Sequence, residues 1–122
     1  MSKYLLKKIN LIIFIFLLMK SLISNDIPVG QLVDFTGPTS SVGRPFGQGH
    51  IDVIKWINKN GGINNKKIRL ETVDYSYKAP RAVATYKRWK SRLKVITVIG
   101  WGTADTEALM GTIARDKITF FS

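Results

Sequence analysis

An α/β fold, with a mainly parallel sheet held between two layers of helices, is what this sequence predicts, on three observations. Short apolar, β-branched runs alternate with stretches of helical apolar spacing from Ile27 to Ser122. The first and third runs end in turns rich in Gly, Ser, Thr and Asp, each opening a helix. The first helix stops at Asn60-Gly61-Gly62, and a new strand begins soon after. Strands and helices alternating in this way form a parallel sheet with right-handed crossovers. The architecture expected is therefore a Rossmann-like three-layer sandwich.

Each element has its own signal. Ile27 to Val33 (IPVGQLV) reads as a buried strand that ends before Asp34. The loop expected over Asp34–Gly43 carries Gly37-Pro38 and the hydroxyl residues Thr39, Ser40 and Ser41. Pro45 is expected in the first turn of the following helix, where its missing N–H costs nothing. Phe46, His50, Ile51, Ile54 and Ile57 recur at helical spacing and predict its apolar stripe. Asn64-Asn65 predicts a turn, Ile68 to Val73 a half-buried strand, and Lys78-Ala79-Pro80 a second helix start. Ala82, Val83, Tyr86, Trp89 and Leu93 form that helix's expected buried face. Val95 to Ile99 reads as a strand covered on both faces. The turn GWGTADTE leads to a third helix, with Ala108, Leu109, Ile113 and Ala114 turned inward, and Lys117 to Phe121 completes the pattern.

The first two dozen residues carry a different signal. Lys3, Lys7 and Lys8 precede an unbroken apolar run, Leu11 to Met19, which Lys20 closes. Spanning a bilayer takes roughly 20 apolar residues, so residues 1–24 read as a secretory signal peptide. An uncleaved anchor is the alternative, because Leu22 is not the small residue a cleavage site prefers. With no cysteine there is neither a disulfide nor a lipid-modified thiol. The chain holds 19 Lys and Arg against 8 Asp and Glu, a net charge of +11. Basic side chains crowd between Lys87 and Lys94, and a solvated helix face explains them better than a nucleic-acid or anionic-membrane patch. No nucleic-acid motif accompanies them. Membrane contact is expected only through the leader.

Two turns leave the C-terminal ends of strands and open helices, at Asp34–Gly43 and Gly100–Thr106, and both fall on the edge where open α/β sheets bind ligands. First-turn amides carry partial positive charge and favour an anionic group such as a carboxylate. Thr39, Ser40, Ser41, Thr103 and Thr106 supply hydroxyls, Trp101 a flat apolar wall, and Gly102 a close backbone approach. Each also has a purely structural reading, as turn chemistry, helix cap or packing. Catalysis has few candidates. The single histidine, His50, sits on a helix face without a second histidine or a cysteine for a metal or thiol site. The spacing Gly43, Gly47, Gly49 matches no phosphate-cradling loop. A non-enzymatic protein without cofactor is expected.

The strand VGQLVDFTGP, Gly43 opening the helix that follows, and the exit INKNGGINNKKIRL closely resemble one family. These are the type I periplasmic solute-binding proteins of ABC importers, in the branched-chain amino-acid (Leu/Ile/Val) group. The resemblance runs from Ile27 to Ser122. It implies that residues 25–122 are the first part of lobe 1, truncated before the remaining strands, the hinge and a second lobe. It also implies capture of a small polar solute, an amino acid or amide, for importer membrane subunits in the periplasm. By the resemblance, the turn after the first strand and the one after the third line the solute cleft. That assigns ligand contact to Thr36, Ser41, Trp101, Gly102, Thr103, Ala104 and Asp105. The serine common in the second turn is replaced here by Ala104, which leaves its backbone amide as donor, and the aromatic common before Gly43 is replaced by Val42. So short a piece of the family's fold is expected to bind weakly or not at all. A membrane-tethered interaction module, pairing through an exposed strand edge, is the competing reading.

Overall fold

The computed structural model describes residues 26–122; the leader expected over residues 1–24 lies outside the described residues. The elements follow in the order β1 (Ile27–Val33), α1 (Ser40–Lys59), β2 (Ile68–Asp74), α2 (Ala79–Arg88), β3 (Thr97–Ile99), α3 (Thr103–Asp116) and β4 (Thr119–Phe121). One π-helical turn, Trp89–Leu93, extends α2. All pairings are parallel and the strand order is β2-β1-β3-β4. The fold is the expected α/β sandwich.

Strand alternation on β1 builds the layers. Gly30 and Leu32 face the side covered by α2 and α3, where the six-membered edge of the Trp89 ring lies over Gly30. Gln31 and Val33 face the other side, where Gln31 Nε2 donates to the Gly47 carbonyl at 3.2 Å and Val33 packs beside Gly47. The main core lies on the α2–α3 side: Leu32, Tyr75, Ala82, Tyr86, Trp89, Val98, Leu109 and Ile113 are buried together there. Two helices with apolar faces and a strand buried on both sides favour this arrangement. Among the described residues, no helix is long and apolar enough to cross a membrane.

Several boundaries differ from expectation. Helix α1 begins at Ser40, so the loop ends at Thr39 and Pro45 falls inside the helix rather than in its first turn. Its buried positions are Gly43, Gly47 and Ile54, whereas Phe46 is 37% exposed. The missing side chains at Gly43 and Gly47 let the helix close onto Asp34 and Val33. The third strand starts at Thr97, with Ile96 exposed. Ala114 faces solvent because α3 is gripped through Leu109 and Ile113. The exit of α1 is as expected: Gly61 and Gly62 have φ of 104° and 78°. Asn64 and Asn65 are both left-handed, closing a two-residue turn with paired Ile63 and Lys66.

Candidate functional site

Three aspartates shape the C-terminal edge of the sheet. Asp34, fully buried after β1, accepts from the Gly37 amide (2.5 Å), the Thr39 amide (2.8 Å) and the Thr39 hydroxyl (2.6 Å). That carboxylate folds the loop in five residues and delivers the chain to α1. Asp74, at the end of β2, accepts from the Phe35 amide (3.0 Å), the Ser76 amide (2.9 Å) and the Thr36 hydroxyl (2.5 Å). Burial raises the Asp74 pKa, but the bonds from Thr36, Phe35 and Ser76 and the charge of Arg81 outweigh it and hold the carboxyl below its ordinary range.

Asp105, in the first turn of α3, organises the second loop. Its oxygens accept from the Tyr75 hydroxyl, the Trp101 amide and the Gly102 amide, each at 2.9 Å. Burial, then the bond to Asp105, pushes the Tyr75 phenol far above its ordinary pKa. Asp105 is therefore a correction to the sequence expectation. It is fully buried and turned inward, with three protein donors on its oxygens, so it positions the loop instead of lining the rim.

The two loops meet. Trp101 Nε1 donates to Thr39 Oγ1 at 2.7 Å, and that hydroxyl in turn donates to Asp34. The Trp101 ring lies 4.8 Å from the Phe46 ring, centroid to centroid. The indole thus spans from the β3 loop to the first turns of α1. Ser41 and Thr103 are exposed on this edge, Ala104 is half-buried, and each sits in the first turn of its helix. Among the described residues, no protein acceptor takes the amides of Ser41, Thr103 or Ala104. The rim therefore offers three unpaired amides, two hydroxyls and an aromatic wall, a set suited to an anionic group on a small polar molecule.

Thr36 stands apart from this group. Its hydroxyl is spent on Asp74 and Ser76, on the β2 side of the loop. It lines a separate open hollow of about 530 Å³ with Phe35, Arg44, Pro45 and Gln48. Gly102 is half-buried, and a side chain there would meet the Tyr77 ring at 3.2 Å. Tyr77 is the rim aromatic that sequence reasoning missed; its left-handed backbone (φ 57°), after Ser76 at 51°, turns it over Gly102. The Tyr-Ser-Tyr-Lys run before Ala79-Pro80 was the available signal. His50 shares a 3.2 Å hydrogen bond with Gln31 and packs edge-on against Phe46, a packing role. Among the described residues, no cluster of three potential metal ligands occurs.

Against known proteins, residues 26–122 match the family model described as "Periplasmic binding protein". The chain belongs to the periplasmic binding protein family. Its structural neighbours at 31% identity and above are substrate-binding proteins. An ABC transporter substrate-binding protein from Aeropyrum pernix is 41% identical, with TM-score 0.73, over 78% of this chain and 26% of that one. A substrate-binding periplasmic protein from Ralstonia solanacearum is 31% identical, with TM-score 0.71, over 78% and 28%. The branched-chain amino acid transporter substrate-binding protein of Streptococcus pneumoniae, solved with isoleucine, shares the fold at 21% identity and TM-score 0.72, over 79% of this chain and 28% of that one. An amino acid binding protein of Pseudomonas aeruginosa is 33% identical over 75 residues, 62% of this chain and 20% of its own length. This member of the family thus spans roughly a quarter of the length of these solved structures.

Proposed function

We propose that this chain supplies one wall of a solute cleft, capturing an amino acid in the periplasm for an ABC importer. The observation that carries the reading is the bridged rim: Trp101 ties two loops together, and each loop presents first-turn amides with no protein acceptor. The α-carboxylate would sit against the amides of Thr103 and Ala104, with the Ser41 hydroxyl beside it and the Trp101 ring against the aliphatic part. Asp105 serves by holding the loop, and Thr36 by fastening β1 to β2. An amino acid binding protein among the relatives supports this solute class, and an ABC transporter substrate-binding protein supports the importer.

Calorimetric titration with free amino acids, their amides and their methyl esters tests this. Amino acids, which keep the carboxylate, are expected to bind more tightly than their esters. Thr103→Ala is expected to weaken the acid by about 1–2 kcal/mol through loss of a hydroxyl contact. Equal affinity for acid and ester, with no effect of Thr103→Ala, would mean that no carboxylate docks on this rim.

A further inference from the structure

Helix α1 packs on the sheet through one face, where Gly43, Gly47 and Ile54 are buried. Along its outer side run Val42, Phe46, Gly49, Val53 and Trp56, in alternating steps of four and three residues. That spacing keeps a single stripe on one side of a helix and is the period of paired helices. Val42 is 61% exposed, Val53 55% and Trp56 66%, and Phe46, whose ring meets Trp101, is 37% exposed. A lone apolar side chain on a surface needs no explanation, but a continuous stripe marks a contact.

Gly49 lies at the middle of the stripe, and nothing within the chain requires it. A Cβ at Gly43 would strike the Asp34 carbonyl, and one at Gly47 the Val33 and Phe35 side chains, but at Gly49 it would enter open space. A glycine inside a helix costs about 1 kcal/mol relative to alanine. What an exposed one supplies is room for a second backbone to come close. The stripe is also symmetric about this position. Val42 and Trp56 lie seven residues to either side of Gly49, with Phe46 three before and Val53 four after.

We infer that the outer face of α1 binds a second copy of this chain, which lays its own α1 antiparallel across it about a two-fold axis through Gly49. Trp56 of each copy then covers Val42 of the other, Phe46 meets Val53, and the helices cross at the two glycines. Charge selects this direction over the parallel one. The flank of the stripe carries Asp52, Lys55 and Lys59 in its C-terminal half and the neutral Ser41 and Gln48 in its N-terminal half, while Arg44 is turned to the Phe35 carbonyl. Antiparallel pairing sets the charged half against the neutral one, whereas parallel pairing sets each charge against its like. The area fits a reversible dimer. The four exposed side chains offer on the order of 400 Å² per copy. With their polar flank, a pair buries roughly 1,200 Å², where specific interfaces begin. Tryptophan is the side chain that most often anchors such a contact. The inference does not depend on the solute proposed above.

The chain has no cysteine, so a single introduced one reports the geometry. Under mild oxidation, full-length Gly49→Cys is expected to form a covalent dimer roughly ten-fold faster than Val42→Cys or Gly111→Cys. In the antiparallel pair the two copies of residue 42 lie about 20 Å apart, at 1.5 Å of rise per residue, too far for a disulfide. Gly111 is an equally open glycine, on α3. Sedimentation equilibrium of the parent chain is expected to show a reversible dimer. Trp56→Glu should weaken it roughly ten-fold or more, and Met110→Glu, at an exposed apolar residue of α3, should leave it unchanged. Equal cross-linking of the three cysteine variants would overturn the proposal. So would a parent chain that stays monomeric up to about 1 mM, or association that survives Trp56→Glu.

Discussion

At the residue scale, the rim depends on carboxylates whose oxygens are held by protein donors. Asp105 leaves little slack, since its oxygens hold the Tyr75 hydroxyl and two backbone amides inside the protein. Asp105→Ala is expected to cost at least about 2 kcal/mol in chemical denaturation, because a buried hydroxyl and the loop amides lose their acceptor. Tyr75→Phe, which removes only one donor, should cost about 0.5–1.5 kcal/mol. Asp74 adds a pH signature. Its folded pKa lies below the ordinary 3.8, so its stabilising contribution is fully present above that value and is lost as pH falls through the folded one. Denaturation midpoints measured below about pH 4 should fall steeply in the parent chain and less steeply in Asp74→Asn.

At the element scale, turn chemistry sets where helices stop and loops close. A Cβ at Gly61 would enter open space, whereas at Gly62 it would strike the Lys66 carbonyl. Both glycines are left-handed. Gly61→Ala should therefore cost about 1–2 kcal/mol of conformational strain, and Gly62→Ala clearly more, by thermal melting. This exit was legible in the sequence because Asn60-Gly61-Gly62 and Asn64-Asn65 each demand a special backbone. The bounds of β1 were legible too, since IPVGQLV is apolar and Asp34 ends it. The start of α1 was not. Pro45 is a strong local marker of a first turn, but the Asp34 carboxylate gathers the Gly37 and Thr39 amides and starts the helix at Ser40. The packing of α1 was hidden for a related reason: Gly43 and Gly47 make the close contacts, and no apolar periodicity reports a glycine.

At the scale of the whole molecule, the parallel sheet brings both helix-opening loops to one edge. The strand order was open to sequence reasoning only as a class, because pairing partners depend on contacts far apart in the chain. That β1 and β3 are neighbours is what brings Trp101 to Thr39. Sequence could nominate both loops, but not the inward turn of Asp105 or the separation of Thr36, which follow from side-chain direction. Resolving backbone amides by NMR while titrating a free amino acid tests the convergence of the loops most directly. The account predicts concentration-dependent shifts together at the Ser41, Thr103 and Ala104 amides and the Trp101 indole, with one shared dissociation constant. Shifts confined to one loop, or to neither, would contradict it.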